Sequence, residues 1–336
     1  MSTHSSSRRA PGARPPAPAF RRGLVAAASA ALFLAACGGG GGASHTGASG
    51  LSQDQVESDA GNASQLGNHS ASTFDNLFDT TQIVTSAAAQ GATADGVVVN
   101  CAGGGTATIT ITGGTLATQL NGQFDAGEHY TVQFAQCRGQ LDYAQLDGTM
   151  DMDIVSVAVS PAGRTIQAAL TLESLKMTLP VGTLALGGQA DFSRTVADGD
   201  NGATTTTSEL TSSELTAKTT FHGRAATFDL TNVDFTRVVN KVNGIATGST
   251  FSGDMTIAGS ADGFQFKNVE ISTDSATTYD VDGNPLNGAW TAVHGDTTIH
   301  VGLSGGIVTV QLDRGSDGTI DRTWTFPLQH LIDAEG

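Results

Sequence analysis

The sequence predicts an all-β fold: a large antiparallel meander sheet, either curved into an open barrel or packed as a two-layer sandwich. One helix precedes it and a short helix follows it. Three observations lead there. From Val97 to Phe326 apolar and polar residues alternate with period two. The alternating runs are separated by Gly, Asn and Asp clusters of the kind tight hairpins need. No run of about 10–15 residues at helical period lies between them, so the crossover helices that parallel strands require have no source.

Composition agrees and removes some function classes. Aromatic residues are 6%, charged residues 14%, and there are 43 glycines in 336 residues. The formal net charge is −16, and it is unevenly placed. Arg8, Arg9, Arg14, Arg21 and Arg22 precede Cys37 and no acid does, so the chain from Cys37 onward carries 11 basic against 32 acidic residues. A surface that acidic repels phosphate backbones and anionic headgroups, which argues against nucleic acid as a partner.

Residues 1–36 have the layout of an export signal: arginines, then the uncharged apolar run Gly23 to Ala36, ending in small residues. At about 14 residues the run is too short to cross a bilayer as a helix. Leu34-Ala35-Ala36-Cys37 resembles the lipobox of bacterial lipoproteins. That resemblance implies diacylation of the Cys37 thiol, cleavage before it, and anchoring through the acyl chains. Gly38 in place of an Asp implies an outer-membrane destination. Residues 37–69 form the acylated cysteine and a tether of Gly, Ser, Ala, Asn and Gln that buries too little apolar surface to order itself.

The folded body is expected over residues 70–336. Ser72-Thr73-Phe74-Asp75 has a capping-box shape, and Phe74, Leu77 and Phe78 follow at helical spacing with Ile83 and Val84 beyond. The segment 72–89 therefore reads as an amphipathic helix. It has no Lys or Arg for a membrane interface, so packing on the sheet is the expectation. About 14 strands follow. Thr106 to Thr112 places Ala107, Ile109 and Ile111 on one face, and Tyr130, Val132 and Phe134 share another. Met150, Met152 and Ile154 give way to Val155, Val157 and Val159 without a turn, and a second parity change falls between Leu172 and Leu175. Both suggest β-bulges. Later strands are read at Leu184–Val196, Leu215–Phe221, Thr227–Phe235, Phe251–Ile257, Phe264–Ile271, Trp290–Val293, Ile299–Leu303, Val308–Leu312 and Ile320–Phe326. Turns are read at Asp198–Gly202, Asp282–Pro285 and Asp317-Gly318, and Leu328–Ala334 is read as closing helical turns.

Cys101 and Cys137 remain once Cys37 is assigned to the anchor. In an oxidising envelope a disulfide is the default; zinc would need further ligands, and none flank these positions. Two unpaired buried thiols are the remaining alternative. The surrounding pattern is similar to uncharacterised proteobacterial lipoproteins: Cys101-Ala102-Gly103-Gly104-Gly105-Thr106, Phe124-Asp125-Ala126-Gly127-Glu128, Thr131 to Cys137, then Leu146-Asp147-Gly148-Thr149. This resemblance covers about 50 residues and supports the compartment and the disulfide. It implies no activity.

Asp313-Arg314-Gly315-Ser316-Asp317-Gly318-Thr319-Ile320-Asp321 resembles an EF-hand-type calcium loop, with Asp313, Asp317 and Asp321 as candidate ligands. Gly315 removes one ligand and Trp324 stands where the bidentate Glu would be, so the competing reading is a hairpin turn. Asp280, Asp282 and Asn284, and Asp198 with Asp200, are further acidic turns that fit solvated loops. Gly302-Leu303-Ser304-Gly305-Gly306 spells a hydrolase nucleophile elbow in a strand–turn–strand context where that motif cannot work. His294 and His300 lack a third ligand, Asp151 and Asp153 read as a solvated strand face, and Trp290 and Trp324 read as core anchors. The expectation is a membrane-anchored envelope lipoprotein at the outer membrane, non-enzymatic and without a required cofactor. Its partner would be a lipid or an envelope protein. A calcium-stabilised adhesion module and a secreted hydrolase are the alternatives.

Overall fold

The structure, a computed structural model, describes residues 96–328 apart from 102–103, 120, 139–144, 180–181, 222–223, 262–263 and 282–284. The signal, Cys37, the tether and the 72–89 helix of the sequence reading lie outside the described residues, as does residue 329 onward of the closing helix.

Fourteen strands form one sheet in strict sequence order. They are β1 (Val97–Asn100), β2 (Thr106–Gly113), β3 (Glu128–Arg138), β4 (Gln145–Ser160), β5 (Gly163–Leu179), β6 (Gly182–Asp198) and β7 (Ala203–Phe221). Next come β8 (Arg224–Val242), β9 (Ile245–Ala261), β10 (Phe264–Tyr279), β11 (Pro285–His294), β12 (Thr297–Ser304), β13 (Ile307–Arg314) and β14 (Arg322–Pro327). Every neighbouring pair is antiparallel. The all-β antiparallel meander is thus the architecture. A four-residue helix, α1 (Leu116–Gln119), interrupts the β2–β3 connection.

The strands are longer than expected from the alternation alone. β7 and β8 each run 19 residues, and β5, β6 and β9 run 17. The sequence reading started its seventh strand near Leu215, because Thr204 to Thr207 offer no large apolar side chain. The structure pairs those threonines fully with Lys241 back to Val238. Likewise Thr236–Val242 extends β8 up to an Asn243-Gly244 turn, with φ of 52° and 80°, which the two-residue hairpin requires. Both edges are short, four residues in β1 and six in β14, and Pro327 ends β14. Short edges and a terminal proline discourage pairing with another sheet.

The core is a single face. Leu170, Leu172, Leu184, Leu186, Leu210, Phe228, Leu230, Ile257, Val301 and Val310 are all buried, and the alternate residues point away. Holding one face through strands this long takes a correction, because strands that coil drift in register. A line of bulges supplies it. On β3 the buried set passes from Phe134 to Cys137 across Gln136, whose φ is 51°. On β5 it passes from Leu172 to Leu175, on β7 from Leu210 and Ser212 to Leu215, and on β8 from Leu230 to Val233 across Asn232. Each step inserts one residue and switches parity, so the same face stays inward. Ser212 secures its own bulge: its hydroxyl donates to the Gln189 carbonyl and accepts from the Glu214 N–H.

The parity change read between Leu172 and Leu175 is one of these bulges. The change read after Ile154 is real as a register shift, but its side chains behave differently from expectation. Val157 packs against the core while Val155 and Val159 are 60% and 75% exposed; Val155 is the residue that the bulge leaves without a ladder partner between Ile154 and Ser156.

Cys101 and Cys137 are joined, with Cα atoms 5.4 Å apart. The turn that places Cys101 closes through hydrogen bonds from the Cys101 N–H to the Gly105 carbonyl and from the Gly104 N–H to the Cys101 carbonyl. Gly105 has a φ of 77°, and a Cβ there would stand 1.9 Å from the Gln136 carbonyl oxygen, so no other residue fits. The bond ties the short edge strand β1 to β3. Reducing it, or replacing Cys101 and Cys137 with Ser, is expected to cost about 3–4 kcal/mol on the chain-entropy account. Denaturant unfolding with and without reductant measures this.

Candidate functional site

Three places gather chemistry-bearing side chains, two built by cross-strand register and one by a turn. The first is on the outer face. Register pairs His129 with Asp153 and Thr131 with Asp151. His129 Nδ1 lies 2.7 Å from Asp153 Oδ1, its Nε2 lies 3.6 Å from Asp151 Oδ1, and the Thr131 hydroxyl donates to Asp151 at 2.6 Å. The Thr131 hydroxyl stands 3.4 Å from Nε2, but its proton is committed to Asp151, so the base does not activate it. A nucleophile would also need an oxyanion pocket, and this is an open strand face. The sequence reading took Asp151 and Asp153 as solvating residues. Their meeting with His129 depends on the β3–β4 register, which a bulge shifts.

A second chain of hydrogen bonds runs through Thr291 in β11. Its hydroxyl donates to Asp274 at 2.7 Å and lies 2.8 Å from His300 Nδ1. Thr291 sits between acid and imidazole, whereas catalysis needs the imidazole in the middle. His294 and His300 are separated by the Gly295-Asp296 turn, as the sequence suggested, and stand on β11 and β12. Gly302 to Gly306 runs from β12 through a two-residue turn into β13, so Ser304 has no helix behind it. Trp290 is buried and Trp324 packs against the core, as expected of anchors.

The third place is the β13–β14 turn that carries the calcium candidates. Asp313 is buried, and its carboxylate accepts from the N–H groups of Asp317 and Gly318 at 3.3 and 2.8 Å. Asp321 accepts from the Arg314 N–H at 2.6 Å, and Asp317 from the Thr319 N–H at 2.8 Å. The Thr319 N–H and hydroxyl hold the Asp317 carboxyl below the usual carboxylate range. Each acid thus shapes the backbone of its own turn. Among the described residues no group of three or more His, Cys, Asp or Glu is placed to hold a metal ion. Asp198 ends β6 and Asp200 lies within the β6–β7 turn, and Asp282 and Asn284 lie outside the described residues.

The chain matches no protein-family model, no curated protein and no solved structure.

The inner face is the most distinctive surface. It is apolar through most of its extent and polar near the ends of β5–β10 that carry the 161–162, 199–202 and 243–244 turns. Register lines up Ile166, Arg194, Ser208, Arg237, Phe251 and Thr277 in one row. The next row outward runs Arg164, Val196, Thr206, Val239, Ser249 and Tyr279. Arg194, Ser208, Thr206, Thr277 and Tyr279 are all buried. Nearer β3, the β2–β3 connection folds back over the face: Phe124 packs edge-on against Tyr130, 5.1 Å between ring centres, and accepts a hydrogen bond from Arg164 through its carbonyl. Glu128, also buried, accepts from the Tyr130 hydroxyl at 2.6 Å and the Asp125 N–H at 2.9 Å. Nothing in the sequence marked the arginines as a set, because they are 30 and 43 residues apart and meet only through the meander.

Burial raises the Tyr279 phenol well above its ordinary value, and the nearby Arg237 offsets only part of this. Because the folded value lies above the unfolded one, the associated stability is intact below about pH 10 and is lost as pH rises further. Of Tyr130, Tyr143 and Tyr279, at least one is expected to ionise only as the chain unfolds, and Tyr279→Phe should remove that delayed step. Absorbance at the tyrosinate band during alkaline titration checks it. In the β13–β14 turn, calcium at micromolar levels is expected to leave the melting temperature unchanged, whereas Asp313→Ala should lower stability by about 1–3 kcal/mol by stranding two turn N–H groups. Thermal melts read both.

Proposed function

We propose that the protein is an exported lipoprotein of the bacterial envelope, anchored at the outer membrane through an acylated Cys37. Its β body serves as a non-catalytic binding module for an apolar ligand. The observation that carries the binding role is the one-faced sheet. The fourteen strands of the described residues present a side that is apolar through most of its extent and another that is polar. A sheet that concentrates its apolar side chains in this way is suited to contact with hydrocarbon. Apart from Glu128, which is engaged by the Tyr130 hydroxyl, the carboxylate- and imidazole-bearing groups described above lie on the outer face and in turns, which favours binding over chemistry.

The anchor rests on the sequence: a basic start, a short apolar run, Leu34-Ala35-Ala36-Cys37 and the Gly-rich stretch after it. The disulfide is consistent with an oxidising compartment. No helix of the described residues is long and apolar enough to cross a membrane.

Two measurements test the reading. Cys37→Ser is expected to move the protein from the membrane to the soluble fraction of the envelope; unchanged fractionation would defeat the anchor. Native mass spectrometry of protein extracted from its own envelope is expected to show a stoichiometric lipid-sized adduct, and its consistent absence would defeat the carrier role.

A further inference from the structure

We propose that the hairpin tips at one end of the sheet, led by Val242 and Ile245, rest in the interfacial layer of a lipid bilayer. The bilayer as occupant rests on the anchor reading, whereas the contact itself is independent of the acyl chains and of any ligand in the sheet.

In an antiparallel meander every second connection falls at the same end. Here one end carries the β2–β3, β4–β5, β6–β7, β8–β9, β10–β11 and β12–β13 connections. Ten large apolar side chains of the described residues stand exposed, and seven of them are at these connections. Leu116 is on the first and Val159 lies beside the second. Val242 and Ile245 flank the fourth, Val281 and Leu286 lie about the fifth, and Ile307 follows the sixth. Single exposed aliphatic residues are ordinary on a protein surface; a series gathered at the turns of one end calls for a contact.

The β8–β9 tip shows the feature best. Val242 and Ile245 face each other across the last rung before the Asn243-Gly244 turn, yet they are 43% and 72% exposed. An aliphatic pair that faces water there gains little from the fold. The tip is also held in place: the Asn243 N–H donates to the Gly202 carbonyl at 2.9 Å and braces this turn on the neighbouring one. A preformed tip has little ordering entropy left to lose on docking.

The chemistry selects hydrocarbon over protein. Protein interfaces are anchored by Tyr, Trp, Met and Arg around a contiguous buried centre. The seven side chains here are Val, Leu and Ile, and successive tips are two strand spacings, about 10 Å, apart. A fluid acyl layer closes around separate points, as a rigid partner surface does not. Charge further disfavours a second copy. The β6–β7 turn between these tips exposes Asp198 and Asp200, which a symmetric tip-to-tip contact would bring together. The same carboxylates select zwitterionic over anionic headgroups. Lys241, the residue before Val242, supplies a cation on a long apolar stem at the level of the lipid phosphates.

The experiment uses the full chain with Cys37→Ser and phosphatidylcholine vesicles. At millimolar lipid the protein is expected to float with the vesicles. Val242→Asp combined with Ile245→Asp should lower the partition coefficient at least about 10-fold while leaving the far-UV circular dichroism unchanged. Brominated phosphatidylcholine is expected to quench the indole introduced by Ile245→Trp. The indole introduced by Ile320→Trp, in the β13–β14 turn at the opposite end, should keep its intensity. Absence of flotation, or equal quenching at the two positions, would overturn the proposal. A dimer in sedimentation velocity that the paired aspartates dissociate, in place of vesicle binding, would assign the tips to a second copy and equally overturn it. The anchor reading fails separately, if mass spectrometry finds the mature amino terminus without acyl chains.

Discussion

Everything in this molecule depends on keeping one side of a single sheet apolar across fourteen strands. The side-chain period of a strand is two, so an error of one residue turns a whole segment inside out. The protein keeps its faces in step by placing extra residues in β3, β5, β7 and β8 along one line. The strands therefore bend together rather than drift apart. Gln136 and Asn232 accept a left-handed backbone there, and Ser212 supplies hydrogen bonds to the backbone around its bulge. Glycine assists where space is short. At Gly253 the Phe235 ring lies where a Cβ would be, and this lets the aromatic side chain cover its cross-strand partner.

The division between faces also separates kinds of chemistry. Apart from the buried Glu128 and Asp313, the carboxylates and imidazoles described above lie on the wet side, where His129 bridges Asp151 and Asp153 and where water screens the charges. Guanidinium groups and a phenol lie on the dry side, in two adjacent rows. Buried polar groups are costly unless satisfied, so a concentration of them at one end of an otherwise apolar surface is a constraint on whatever lies against it.

Much of this was legible in the sequence, and the failures have physical causes. Alternation with Gly-, Asn- and Asp-containing turns is a local signal, and it identifies the antiparallel meander, the turns at Asp198–Gly202 and Asp317-Gly318, and the bulge after Leu172. Apolar alternation does not reveal where a strand ends if its last residues are threonines, and so the first half of β7 was missed. Nor does it reveal which apolar residue a bulge leaves outside the ladder, as Val155 is. The His129 cluster and the arginine rows lay further out of reach. Both are set by which residue stands opposite which, a quantity that each bulge alters by one. The acidic turn at Asp313 was legible as a turn, since Asp and Gly do there what they do in any tight reversal of the chain.

One consequence of the topology concerns time rather than structure. Because every strand joins the one just before it, no segment must wait for a distant partner. A chain delivered amino end first could add each hairpin to a growing edge as it emerges. The disulfide closes within the first three strands and would fix the starting edge early. The exposed edge would then move forward with each new strand until Pro327 ends the last one. Such a molecule is vulnerable to aggregation at only one moving boundary.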